Sequence, residues 1–243
     1  MSSTRGVVAV TSLALEADIA SGPGVSVICV QGLQLAAALE AAIARGARGV
    51  ISFGIAGGLA PELRAGDCIV AAAVQSGEQV FPTDQVWTRT LLSALPGALH
   101  RHVLAVDAPV AHPVEKRQLH AETGAAVVDT ESHIAARVAA AHRIPFAVCR
   151  VVIDAAHRRL PPAALVGLHD DGTPDVRAVF GSVMRQPRQL PTLARTALDA
   201  QVARNALRRG RRLLGVGLAF PYFSDRASEL LVSERGEPVL STP

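Results

Sequence analysis

The sequence predicts one α/β domain built around a largely parallel sheet. Three observations lead there. Short apolar runs alternate with Ala-rich helical stretches from Gly6 to Asp154. The third apolar run continues into a glycine stretch, Phe53-Gly54-Ile55-Ala56-Gly57-Gly58. Two later runs end in acidic residues, Val127-Val128-Asp129-Thr130-Glu131 and Val151-Val152-Ile153-Asp154. Sheets of this class bind ligands beyond the carboxyl ends of their strands, so these three strand ends mark the expected site.

In chain order, Gly6–Val10 reads as a strand, followed by a helix through Asp18 with Thr11 or Ser12 as its N-cap. Gly22-Pro23-Gly24 is a turn and Val25–Val30 a second strand. An Ala-rich helix opens at Gln31-Gly32-Leu33 and stops at Gly46. The central strand begins at Val50 and passes into the glycine stretch, read as a loop; after a Gly66-Asp67 turn comes the strand Cys68–Val74. Residues 76–102 carry little periodicity beyond a helix over Trp87–Leu95. Val103–Val110 is a strand, Lys116–Glu122 a short helix ended by Gly124, and Ala125–Val128 a strand. Glu131–His142 is a helix with an Ala/Val/Ile face, and Pro145–Val152 a strand closing at Ile153-Asp154. Helices over Asp175–Arg185 and Leu193–Arg212 complete a domain of residues 1–215, with 216–243 as a Gly/Pro-punctuated tail.

Composition narrows the function. Hydrophobic residues are 49% of the chain and aromatics 3%, so the core is Ala, Val and Leu, and a base-stacking nucleic-acid surface is not expected. Of the 24 basic residues all but Lys116 are Arg. The cluster Arg204, Arg208, Arg209, Arg211 and Arg212 reads either as a solvated helix end or as a contact for an anionic membrane surface. Cys29, Cys68 and Cys149 each sit in an apolar run and read as buried, reduced thiols; no Cys/His spacing suggests zinc. The N-terminus lacks an apolar signal core and no segment reaches about 18 apolar residues, so a cytoplasmic enzyme is expected.

The glycine stretch with Leu59-Ala60-Pro61, Leu63, Gly66-Asp67 and Ile69-Val70 closely resembles the nucleoside phosphorylase/nucleosidase family. The segments 127–133 and 149–155 resemble it too, in the expected order. The resemblance implies a three-layer α/β/α fold with a central mixed sheet, no cofactor, a homo-oligomer, and cleavage of a purine N-glycosidic bond either by phosphorolysis, with inorganic phosphate as co-substrate, or by hydrolysis. It implies roles as well. Asp154 protonates the leaving purine at N7, Glu131 binds the ribose hydroxyls, and Glu16 helps activate water. Gly54, Ile55, Ala56 and Gly57 line the substrate, with Thr130 under the ribose. Cleaving an N-glycosidic bond leaves an anionic base and a cationic sugar, which is why carboxyl groups suit these places.

Each assignment has a structural counterpart: the glycines as a tight turn, Asp129 as a helix cap, Asp154 as a turn residue and Glu16 as an exposed helix residue. Arg150 is the cation available for phosphate, or else a structural partner of Asp129 or Glu131. His133 and His157 either line the pocket or are structural. The chain departs from the nucleosidases where Thr130 replaces Met, Ile153 replaces Ser, and Ile55 replaces Ser or Thr. Segments 129–133, 159–164, 171–172 and 187–193 resemble the hopanoid-biosynthesis-associated phosphorylases, which implies release of adenine from adenosylhopane, a lipid-linked purine nucleoside. The Leu/Pro/Ala-rich stretch 160–168 suits a lipid-facing wall. The alternatives are a 5′-methylthioadenosine/S-adenosylhomocysteine nucleosidase and a nucleoside-binding sensor without turnover.

Overall fold

β1 (Val7–Thr11) is buried at every position, as expected of a strand covered on both faces. It pairs in parallel with β2 (Val25–Cys29) and with β3 (Gly49–Gly58). The connections are helical: α1 (Ala14–Ala20) after β1 and α2 (Gly32–Ala44) after β2. The computed structural model describes residues 6–30, 32–162 and 176–223.

Two expectations change here. Neither Thr11 nor Ser12 caps α1; Leu13 holds the N-cap position without a side-chain bond, and the Glu16 carboxylate reaches back to the free backbone N–H groups instead. The glycine stretch is not a loop. β3 runs through it to Gly58.

β4 (Cys68–Ser76) turns through Gly77-Glu78 into β5 (Gln79–Pro82), a hairpin in the region that reads as irregular. Gly77 has φ 57°, a conformation that glycine adopts without steric penalty. Then follow α3 (Gln85–Ala94), β6 (Leu99–Ala105), α4 (Pro113–Thr123), β7 (Val127–Asp129), α5 (Ser132–His142) and β8 (Phe146–Asp154). β6 begins and ends earlier than its apolar run predicts, because Leu99–Arg101, partly exposed, pair with β4. Helices α6 (Val176–Arg185) and α7 (Leu190–Leu214) follow.

The sheet is mixed and largely parallel. β1–β2, β1–β3, β3–β8, β4–β6 and β6–β7 pair in parallel; β3–β7, β4–β5 and β4–β8 are antiparallel. β8 lies between β3 and β4, while β7 and β6 join the same two strands by another route. The central strands therefore close on themselves. Helices α2 and α5 pack with one apolar cluster that includes Leu35, Leu39, Ala135 and Val148; α1, α3 and α7 pack with another that includes Ile19, Leu91, Leu207 and Cys149. Cys149 is buried, whereas Cys29 and Cys68 are only partly so.

Residues 216–223, read as tail, pack onto this body. The Trp87 Nε1–H donates to the Leu218 carbonyl at 2.9 Å, and Phe220 meets Trp87 edge-to-face at 4.9 Å. Asp84 caps α3 through the Trp87 N–H and also accepts from the Tyr222 hydroxyl. The rest of the tail and most of the stretch 160–168 lie outside the described residues.

Gly49 leaves room for this docking, since a Cβ there would stand 2.6 Å from the Phe220 ring. Phe220→Ala is expected to destabilise the protein by about 3–5 kcal/mol, the usual cost of emptying a buried Phe site. A urea midpoint shifted to lower concentration, with the far-UV spectrum retained, is the expected measurement.

Candidate active site

Arg150 lies in the middle of β8 and is fully buried. Its Nε donates to Asp129 Oδ2 at 2.8 Å, and one terminal nitrogen donates to Glu131 Oε2 at 3.2 Å and Ser52 Oγ at 2.7 Å. The other terminal nitrogen reaches the Ile55 carbonyl at 3.4 Å. A buried guanidinium needs this many partners, because an unpaired charge in the interior costs several kcal/mol. Of its two readings, the structural one describes these contacts: Arg150 is engaged by both Asp129 and Glu131.

The Asp129-Thr130-Glu131 corner joins β7 to α5. Asp129 Oδ1 accepts from the Ser132 and Glu131 N–H groups at the helix start, so this residue caps as well as pairs. Thr130 donates its hydroxyl to Glu131 Oε1. Burial pushes the Glu131 carboxyl up to about 7 against the pull of Arg150, with Asp129 adding to the rise.

Glu16, on α1, is 1% exposed, so it is not a surface helix residue. Its Oε2 accepts from the Ser12 and Leu13 N–H groups, and its Oε1 accepts from the Ile55 N–H at 2.7 Å. The last bond ties α1 to the glycine stretch. Gly54 is what makes room: a Cβ there would stand 2.4 Å from Glu16 Oε1 and 2.8 Å from a terminal nitrogen of Arg150. At Gly58 a Cβ would meet the Asp154 carbonyl at 2.9 Å. These glycines let the site's side chains and backbone cross the sheet closely.

Asp154 ends β8. A bulge after Ala56 sets it opposite Gly57. Its Oδ2 accepts from Lys116 Nζ on α4, and both side chains are buried. Burial raises the Asp154 carboxyl above its ordinary value and Lys116 opposes the rise. Sequence reasoning missed Lys116. The available signal was its singularity, one lysine among 24 basic residues.

Glu16, Gly54, Ile55, Arg150, Thr130 and Glu131 thus form one connected set, and Asp154 borders it through Gly57. Ala56 does not join by its side chain, which packs in the apolar cluster beneath α2 and α5. His133 turns to Asp107, 3.3 Å away, and His157 is exposed. Among the described residues no group of three or more His, Cys, Asp or Glu is placed to hold a metal. Beside Glu16 opens a largely apolar crevice of about 100 Å³, lined by Leu13, Ile19, Ile55, Ile153 and Leu207 and also by Arg204, whose buried Nε has no hydrogen-bond partner among the described residues. Two of the departures from the nucleosidase pattern, Ile55 and Ile153, therefore meet in one wall.

The raised Glu131 carboxyl has a consequence for stability. The fold binds this proton more tightly than the unfolded chain does, so its contribution is present at low pH and is lost as pH rises from about 4.5 to about 7. Asp154 acts in the same direction. Urea midpoints measured across that window are expected to fall with rising pH, and Glu131→Gln is expected to flatten the slope even though it lowers the midpoint.

The chain is similar to known proteins in sequence profile and in fold. The sequence profile of the Phosphorylase superfamily matches residues 19–185, which include Gly54–Gly57, Thr130, Glu131, Arg150 and Asp154 but not Glu16. No curated protein sequence is significantly similar. Among solved structures, a 5′-methylthioadenosine/S-adenosylhomocysteine nucleosidase of Helicobacter pylori is 13% identical, with a TM-score of 0.62 over 88% of this chain and 97% of its own. Futalosine hydrolase of the same organism is 14% identical, with a TM-score of 0.58 over 86% and 97%. A nucleosidase of Colwellia psychrerythraea in complex with adenine is 15% identical, with a TM-score of 0.59 over 73% and 95%. The matched profile spans more than half of the chain, leaving Glu16 and the crevice residues Leu13, Ala200 and Leu207 outside it, and the chain belongs to the Phosphorylase superfamily.

Proposed function

We propose that this protein cleaves the N-glycosidic bond of a purine nucleoside with water as the nucleophile, releasing adenine from a nucleoside that carries a long apolar group at ribose C5′, adenosylhopane being the substrate the resemblance suggests. The observation that carries the reaction type is the convergence of three buried carboxyl groups, Glu16, Glu131 and Asp154, around the glycine strand β3. As the C1′–N9 bond breaks, its electron pair goes to the purine and N7 takes a proton from Asp154. Glu131 accepts the ribose hydroxyls. Water adds to C1′ and gives its proton to Glu16, whose Oε1 spends one acceptor position on Ile55 and has another to offer.

Hydrolysis is favoured over phosphorolysis by the state of Arg150. Its guanidinium is already shared among Asp129, Glu131 and Ser52, and Ile55 and Ile153 line the neighbouring wall with hydrocarbon. An incoming phosphate dianion would meet the Glu16 carboxylate and hydrocarbon there, and among the described residues the one cation lining that wall is Arg204 of α7. The same wall supports an apolar 5′ group. Each buried methylene is worth about 0.8 kcal/mol, and binding energy from a remote group raises turnover when it positions the reacting centre.

Adenine release followed by mass spectrometry is expected to proceed equally with and without phosphate; strict phosphate dependence would restore phosphorolysis. Asp154→Asn is expected to lower kcat by about 10²–10⁴-fold, the usual worth of a general acid. Adenosines with 5′-alkyl chains of increasing length are expected to show rising kcat/KM, and Ile153→Ser is expected to reduce that rise. Best activity on methylthioadenosine, falling with each added carbon, would favour the small-molecule nucleosidase instead. Absence of turnover on every nucleoside, with binding retained, would favour the sensor.

A further inference from the structure

We infer that Lys116 is the proton reserve of the site, reloading Asp154 as Asp154 gives its proton to the leaving purine. This rests on the proposed function and adds a residue to it. Lys116 acts through Asp154, so it is a positioning and proton-supplying residue and does not itself touch the substrate.

Lys116 is the one lysine in a chain whose 23 other basic side chains are all Arg, and it is 0% exposed. α4 delivers it there. Leu119, one turn further along the same face, packs with the apolar cluster of Leu59, Leu104, Val110, Ala125 and Val128, which seats the helix against the β6–β7 end of the sheet. The ammonium then meets Asp154 Oδ2 in a hydrogen-bonded ion pair. The other charge bearing on Asp154 among the described residues is Asp199 of α7, which lies 3.7 Å from Arg158 and disfavours the ionised carboxyl.

The chemistry separates Lys from Arg. A guanidinium is not deprotonated in proteins, so Arg at this position would hold Asp154 as a carboxylate with no proton to pass on. An ammonium carries protons that it can pass to a carboxylate, leaving a neutral amine. Moving one proton along the Nζ–H···Oδ2 bond converts the ion pair into neutral amine and carboxylic acid, and burial narrows the difference between the two. The balance over one turnover closes. C1′–N9 breaks, N7 gains the Asp154 proton, Asp154 gains the Lys116 proton, and Lys116 is left as a neutral amine. Water adds to C1′ and its proton passes to Glu16. Solvent exchange returns one proton from Glu16 to Lys116, so the enzyme ends as it began.

The experiment compares Lys116→Arg with wild type on two leaving groups, adenine and 4-nitrophenolate, the second on a β-D-ribofuranoside that needs no proton to depart. The expected result is a loss in kcat of about 10²–10⁴-fold with adenine and a far smaller loss with nitrophenolate. Should Lys116→Arg fold poorly, Lys116→Ala leaves a cavity of the deleted side chain's length. Ethylamine is then expected to restore adenine release, and methylguanidine is not. Wild-type kcat for Lys116→Arg on adenine, equal losses on both leaving groups, or indifference of Lys116→Ala to ethylamine would each overturn the inference. Asp154→Asn run alongside separates the two levels. If Asp154→Asn abolishes adenine release and Lys116→Arg does not, only the role of Lys116 falls; if Asp154→Asn is active, the assignment of Asp154 falls and that of Lys116 with it.

Discussion

A fully buried guanidinium at the centre of the sheet sets the terms for everything around it. Arg150 sits on β8, the strand that pairs with both β3 and β4. A charge in that place is tolerable only with compensating carboxylates held at hydrogen-bond distance, and removing one partner of such a set typically costs about 3–5 kcal/mol. Asp129 and Glu131 supply the compensation from β7 and α5, and Ser52 and Ser132 fill the remaining positions. The corner between β7 and α5 therefore has little freedom. The same contacts orient Glu131, whose other oxygen is held by Thr130.

The second constraint is steric. Glu16, Arg150 and Asp154 all approach β3 closely, and β3 answers with glycine. Gly54 admits the Glu16 carboxylate and the Arg150 guanidinium; Gly58 admits the backbone of β8 at Asp154. The bulge at Ala56–Gly57 then shifts the register so that Asp154 emerges beside Gly57 and not one residue away. Closure of the central strands brings β7 to the same place from the opposite direction, with Gly57 paired to Val128. Segments spread over more than a hundred residues of chain, from Glu16 to Asp154, reach one site in this way.

Polarity is divided sharply across that site. On one side lie the carboxylates with Arg150, and Lys116 closes against Asp154. On the other, Ile55 and Ile153 continue the strand ends into hydrocarbon beside Ile19 and Leu207, with Glu16 and Arg204 the charged residues that line it. Ile55 belongs to both sides, since its backbone N–H bonds Glu16 while its side chain lines the apolar wall. One strand residue thus joins the polar centre to the crevice, and a substrate held by the first would present its next substituent to the second.

The order of strands and helices was legible in the sequence because periodicity and chain punctuation are local. The strands from Val7, Val25, Val127 and Phe146 and the helix through α5 stand close to where their apolar runs place them. The acidic strand ends were legible for the same reason. What was not legible depended on partners distant in the chain. The glycine stretch is strand because β7 and β8 pair with it. The β4–β5 hairpin exists because β4 supplies an edge. Residues 216–223 are ordered by Trp87, and Arg150 is engaged because Asp129 and Glu131 reach it. The sequence by itself determined which strand ends carry acidic residues. Only the tertiary structure decided that Lys116 meets Asp154 and that Ile55 meets Ile153, because side-chain contacts between elements follow from how the sheet closes, and no local pattern encodes that.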